Sequence, residues 1–253
     1  MRLKNKVVLI TGAGSGIGAA AARHMAQEGA SIALTGIPAA GVEQTAADLA
    51  KEGYNAIAIP TDVSDSTQVQ AAVARTVEAF GRLDCAVASA GVQLHDRDHT
   101  LHELDEDAWD QTHDINYRGV MLTCKYALAQ MVKQGEGGAL VIISSVTAMS
   151  GKSDNVSYLT GKHGLIGLNR YIGRHYGPHG IRCNCLCPGA LDKTPNHDIH
   201  PNPEGRAAAL KSSIPLGRTA TPEDMAPWIS FLCSDEARYA TGAHFLVDGG
   251  MSA

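Results

Sequence analysis

An apolar, β-branched run, Lys6-Val7-Val8-Leu9-Ile10, ends directly in Thr11-Gly12-Ala13-Gly14-Ser15-Gly16-Ile17-Gly18, and an alanine-rich stretch continues to about Glu28. Strand, glycine turn and helix in this order form a phosphate site. Glycines let the backbone approach a ligand closely, and the helix N-terminus offers N–H groups with no partner inside the helix. The spacing of Gly12, Gly16 and Gly18 differs from the common G-x-G-x-x-G pattern, but the strand before it and the helix after it supply the required context. Gly12, Ser15, Gly16, Ile17 and Gly18 are therefore candidate phosphate contacts.

The same alternation continues along the chain. Strands are expected at Ser31 to Thr35, Asn55 to Ile59, Leu83 to Ala88, Ala139 to Ser144, Ile181 to Cys187 and His244 to Val247. Helices are expected at Ala40 to Glu52, Asp65 to Phe80 with Ser64 as cap, across much of Asp105 to Gln134, at Val156 to Tyr176, and from Pro222 behind the cap residue Thr221. Short apolar strands alternating with helices imply an α/β fold: a doubly wound, Rossmann-like parallel sheet of about seven strands with helices on both faces. No linker, composition break or repeat interrupts 1–253, so a single domain is expected, carrying an irregular loop and small helix at 189–213.

Charge and composition exclude several functions. A net charge of −5 without a long basic run argues against nucleic acid as a partner. The few apolar residues before Thr11 are too short a run for a signal-peptide core or a membrane span, so a cytoplasmic protein without membrane contact is expected. Six cysteines include the run Cys183-x-Cys185-x-Cys187. On a strand these thiols lie roughly 6.6 Å apart on one face, a poor match to tetrahedral zinc with bonds of about 2.3 Å. They read as small core residues, and no metal site is expected.

Tyr158 and Lys162 fall four apart on an expected helix, so phenol and ammonium project from the same face one turn apart. A nearby positive charge favours the phenolate, and a Tyr tuned in this way can exchange a proton with an alcohol or carbonyl oxygen.

With Thr11-Gly-x-x-x-Gly-x-Gly18, Asp62-Val63, Asn116, Ser144-Ser145, Tyr158-x-x-x-Lys162 and Pro188-Gly189 in this order, the chain resembles the compact short-chain dehydrogenases/reductases over essentially its whole length. The resemblance implies an NAD(P)-dependent oxidoreductase that interconverts an alcohol and a carbonyl. It makes Tyr158 the general acid/base. Lys162 would lower the pKa of Tyr158 and hold the nicotinamide ribose. Ser145, chosen over Ser144 by its distance from Tyr158, would be the hydrogen-bond donor to the reacting oxygen, and Asn116 would hold a water in the proton path. Gly36, Asp62, Val63, Ala90, Gly91, Pro188, Gly189 and Thr194 join the glycine turn, Tyr158 and Lys162 as cofactor contacts. Two departures stand out. Ala88-Ser89-Ala90-Gly91 lacks the amides that the family often carries in this turn, and Lys193 occupies the place where the family commonly has Thr, with Thr194 following.

Cofactor and substrate rest on fewer residues. Gly36-Ile37 offers neither an acid for the adenosine ribose nor a cation for a 2′-phosphate, and the glycine turn has no Arg or Lys. NAD is therefore the expected cofactor, with nothing that repels NADP. Gln93, His95 and Arg97 after the fourth strand, together with Ser145, Lys193 and His197, are candidate substrate contacts. This polar set suits a sugar, polyol or sugar acid better than a steroid or fatty chain, since unpaired buried polar groups cost about 1–3 kcal/mol each. Two alternatives stand beside the polar-alcohol dehydrogenase: a 3-oxoacyl carrier-protein reductase of the same family, and a dinucleotide-sensing protein without turnover. The resemblance also implies a homotetramer built on the helices around Asn116 to Gln134 and Val156 to Tyr176.

Overall fold

The computed structural model describes residues 1–192, 205 and 212–253. Seven strands form one parallel sheet: β1 (Val7–Thr11), β2 (Ser31–Gly36), β3 (Ala56–Pro60), β4 (Cys85–Ala88), β5 (Gly138–Ile143), β6 (Ile181–Pro188) and β7 (His244–Val247), in the order β3-β2-β1-β4-β5-β6-β7. The helices among the described residues are α1 (Gly16–Gln27), α2 (Ala39–Lys51), α3 (Ser66–Phe80), α4 (Glu106–His113), α5 (Gly119–Gln134), α6 (Val156–Tyr176) and α7 (Pro222–Cys233). The expected α/β sheet is present, with element ends shifted by one or two residues.

Alternation along the strands builds two cores. Val8 and Ile10 of β1, Ile32 and Leu34 of β2, and Val87 of β4 face α1, α2 and α7 through Met25, Leu49 and Ile229. Leu9, Ala33, Ala86 and the β6 thiols face α3, α5 and α6 through Val73, Met131 and Leu165. Because both faces are covered, strands read as continuous apolar runs, and each fully buried Leu or Ile contributes about 1.5–3 kcal/mol. Strand order reverses between β1 and β4, which pair from Val8↔Cys85 to Thr11↔Ala88. Open α/β sheets bind ligands at such a switch point, beyond the strands' carboxyl ends.

Two local readings change. The cap of α3 is Asp65, not Ser64: the Asp65 carboxylate accepts the N–H groups of Thr67 and Gln68, whereas the Ser64 hydroxyl donates to Asp62. The long helical region is interrupted by a π-helical turn, Asp114–Arg118, between α4 and α5, with Asn116 buried within it. Such one-turn bulges turn a side chain out of helical register and concentrate at functional sites.

All six cysteines are free and buried. Cys183, Cys185 and Cys187 share the α5/α6 face of the sheet with Cys124. Among the described residues no group of three or more His, Cys, Asp or Glu side chains could hold a metal, and no helix is long and apolar enough to cross a membrane.

Candidate active site

The glycine turn joins β1 to α1. Gly12 and Gly16 have φ of 66° and 52°, a region open to glycine without strain. A Cβ on Gly12 would stand 2.8 Å from Ala90 Cα, and one on Gly18 would stand 2.3 Å from the Gly12 carbonyl oxygen. Backbone therefore meets backbone throughout the turn. Ser15, the N-cap of α1, makes no side-chain capping bond, and the first turn, with Gly16, Ile17 and Gly18, carries no acidic residue. The positive end of α1 meets no carboxylate of its own, which fits a dinucleotide pyrophosphate.

Beside the turn, Gly36 ends β2 with φ of 151°, and a Cβ there would lie 3.4 Å from Gly12 Cα. Ile37 follows and is 64% exposed. Asp62 is held by its neighbours: its carboxylate accepts the N–H and hydroxyl of Ser64, and its own N–H donates to Gln68 Oε1. Val63 is buried against Gly119, where a Cβ would come within 2.7 Å of Val63 Cγ2. The turn after β4, which lacks the family's amides, is fastened from β1. Thr11 Oγ1 accepts the N–H groups of Ser89 at 3.1 Å and Ala90 at 3.2 Å. Thr11 carries no local sequence signal of this role, because its two partners lie 78 and 79 residues away.

Tyr158 and Lys162 lie on α6 as expected, with Lys162 Nζ 5.4 Å from the Tyr158 ring centroid. The Lys162 side chain is buried and donates to the Ile143 carbonyl at 2.9 Å. Burial lowers its ammonium from the ordinary 10.5 to about 8. At pH 7 roughly nine in ten such groups still carry the proton. The nearby thiol of Cys187 is pushed up to about 11 by burial, so it stays neutral and leaves the ammonium charge available to the phenol.

The two serines at the end of β5 have different partners. Ser144 Oγ donates to the Lys162 carbonyl at 3.0 Å and ties α6 to the sheet. Ser145 Oγ accepts the Thr147 N–H at 3.2 Å, which leaves its own hydrogen to donate elsewhere. Asn116 exchanges two hydrogen bonds with the Val92 backbone, Oδ1 accepting its N–H and Nδ2 donating to its carbonyl, each at 2.8 Å. A Cβ on Gly91 would lie 3.3 Å from Asn116 Oδ1 and 3.7 Å from Lys162 Nζ, so the exit of β4, the π-helical turn and α6 converge there. Gly189, behind Pro188, donates to the Val247 carbonyl, and a Cβ there would lie 2.7 Å from Asp248 Cα. Thr194 lies outside the described residues.

The candidate substrate residues are only partly assembled. Gln93 Nε2 donates to Asn155 Oδ1 at 2.9 Å. Arg97 is engaged by Asp105, with Nε and Nη2 each 2.7 Å from Oδ2. A guanidinium held in this way serves the loop before it serves a ligand. His95 is half-buried in the same loop. Lys193 and His197 fall outside the described residues.

Asp98, which drew no functional reading from the sequence, is fully buried, and its carboxylate accepts from the first turn of α6. No local pattern announces it, because its partners are 59 and 60 residues further on.

Similarity to known proteins extends over the whole arrangement. The family profile described as enoyl-(acyl carrier protein) reductase matches residues 12–252. An L-rhamnose 1-dehydrogenase (NAD(P)(+)) from Sphingomonas sp. (strain SKA58) is 39% identical, covering 98% of this chain and 97% of that protein. A D-threitol dehydrogenase from Mycolicibacterium smegmatis is 38% identical, covering 98% and 94%. The crystal structure of levodione reductase superposes with a TM-score of 0.94 at 33% identity, covering 99% of each chain. The chain belongs to the short-chain dehydrogenase/reductase family and is an NAD(P)-dependent oxidoreductase acting on CH–OH donors.

Proposed function

We propose that this enzyme oxidises a polar secondary alcohol or sugar hemiacetal, or reduces the corresponding carbonyl, with Tyr158 as general acid/base. The observation that carries this reading is the buried Lys162 ammonium, 5.4 Å from the Tyr158 ring centroid on the same helix. In alcohol oxidation the Tyr158 phenolate takes the hydroxyl proton, and Ser145 donates a hydrogen bond to the oxygen as its charge develops. The Lys162 ammonium stabilises the phenolate and would hold the nicotinamide ribose. Asn116, whose Oδ1 keeps a second lone pair and whose Nδ2 keeps a second hydrogen, holds a water on the proton's way out. In the reverse direction Tyr158 gives the proton back to the carbonyl oxygen.

A nicotinamide dinucleotide supplies the hydride acceptor or donor when bound. Gly12, Ser15, Gly16, Ile17 and Gly18 would hold its pyrophosphate, Gly36, Asp62 and Val63 its adenosine side, and Ala90, Gly91, Pro188, Gly189 and Thr194 its nicotinamide side. NAD is preferred, because Gly36 to Ala40 present no cation to a 2′-phosphate. The substrate class is a sugar, polyol or sugar acid. The L-rhamnose and D-threitol dehydrogenases among the relatives support that class; His95, with Lys193 and His197 of segment 189–213, would meet the substrate within a single catalytic domain. The working form is a cytoplasmic homotetramer.

One set of measurements tests the reading. Reduced-nicotinamide absorbance is followed with aldoses, sugar acids and polyols, using NAD and NADP separately, for the wild type and Tyr158→Phe. Turnover with a polyhydroxylated substrate is expected, faster with NAD, and Tyr158→Phe is expected to lower it by about 10²–10⁴ with cofactor binding kept. Activity confined to acyl thioesters would favour the carrier-protein reductase. NAD binding without any hydride transfer would favour a sensor.

A further inference from the structure

The N-terminal turn of α6 holds Tyr158, and its capping comes from outside the helix. The first backbone N–H groups of any helix lack partners within it. Asn155 occupies the N-cap position of α6 but makes no side-chain capping bond. Asp98, in the loop after β4, takes that role from a distance. Its Oδ1 accepts the Ser157 N–H at 2.9 Å and the Ser157 hydroxyl at 3.0 Å, and its Oδ2 accepts the Tyr158 N–H at 3.0 Å. The Asp98 side chain is 0% exposed, and Asn155 Nδ2 donates to its main-chain carbonyl. Asn155 Oδ1 in turn accepts from Gln93, so the loop that follows the nicotinamide-side turn is stitched to α6 at three residues.

We propose that Asp98 is a positioning residue for Tyr158, an inference that rests on the general acid/base role of that phenol. The Asp98 carboxylate sits where the positive end of the helix dipole favours a negative charge, and carboxylate hydrogen bonds of this kind are roughly twice as strong as neutral ones. It grips the main chain of the residue that carries the reacting group, so the rotation of the first turn of α6 and the direction of the phenol are fixed together. Lys162, one turn further along, is fastened separately by Ile143 and Ser144. Loss of the Asp98 grip therefore moves the phenol relative to an ammonium that stays in place. A displacement of about 1 Å in such a site can cost about a hundredfold in rate.

A double-mutant cycle tests this. In Asp98→Asn an amide NH₂ faces backbone N–H donors, and at least one acceptor is lost. Turnover is expected to fall at least tenfold, with the cofactor Kd changed less than twofold. In the Tyr158→Phe background the same change is expected to alter the residual rate less than twofold, because Asp98 acts through the phenol. An equal loss in both backgrounds would show a general structural effect and overturn the proposal, as would unchanged turnover in Asp98→Asn. If Asp98→Asn fails to fold, Asn155→Ser, which keeps a cap-forming residue but releases the Asp98 carbonyl, decides the matter. It should lose several-fold in turnover only when Tyr158 is present, and full turnover would overturn the proposal. Near-normal turnover in Tyr158→Phe alone would instead refute the acid/base reading on which the proposal rests.

Discussion

At the scale of single residues, Lys162 presents a conflict between stability and function. Its ammonium is buried and held at about 8 rather than 10.5, because desolvation disfavours the charged form. At neutral pH that charge costs the folded protein on the order of 3 kcal/mol. Between pH 8 and 10.5 the unfolded chain binds more protons at this position than the folded one, so the stability contributed by this group rises with pH across that window and is lost as pH falls through 8. Lys162→Met should therefore raise the Tm of cofactor-free protein by several degrees at pH 7 while lowering turnover by a hundredfold or more. The difference in Tm should close as pH approaches 10.5. A Tm at pH 7 equal to or below that of the wild type would refute the desolvation account. Ser144 and Ser145 make a related point: two adjacent identical side chains differ only in their partners, and only Ser145 has its hydrogen uncommitted among the bonds around it.

At the scale of elements, the critical joint is the first turn of α1 against the glycine turn. A Cβ on Gly18 would lie 2.3 Å from the Gly12 oxygen, 2.8 Å from its carbonyl carbon and 3.0 Å from Ala13 Cα, all backbone atoms that no rotamer change can move. Gly18→Ala should destabilise the fold by about 1–3 kcal/mol, measured by denaturant unfolding. Pushing the start of α1 away from the turn should also weaken NADH binding at least tenfold in a fluorescence titration. A variant with unchanged stability and affinity would mean that the turn relaxes freely. The glycine turn, α6 and the strand ends were legible in the sequence because their signals are local: apolar runs, glycine clusters and i, i+4 spacing. The π-helical turn at Asp114–Arg118 was not, since one extra residue in a helical turn leaves the apolar periodicity on either side nearly unchanged.

At the scale of the whole molecule, the sheet ends on β7, where Leu246 is 44% exposed, and α7 nearby exposes Trp228 at 41%. Tyr171 on α6 is 57% exposed. Large exposed apolar groups of this kind are candidate subunit contacts for the proposed homotetramer. Light scattering should therefore report four chains of 26.5 kDa each. Trp228→Asp should shift the population to smaller species; a wild-type monomer would remove the proposal.

The sequence by itself determined the alternation of strands and helices, the glycine turn between β1 and α1 and the candidate chemistry of Tyr158, Lys162, Ser145 and Asn116. Each of these is written in short-range spacing and in an order along the chain. The tertiary structure decided which groups are free to act. It ties Arg97 to Asp105 and Gln93 to Asn155, commits Ser144 to α6, fastens the β4 turn through Thr11, and places the Asp98 carboxylate under the Tyr158 N–H. Those contacts depend on which segments the sheet order brings together at the ends of β1 and β4. A hydrogen bond spanning 60 residues leaves no periodic trace in the chain that forms it.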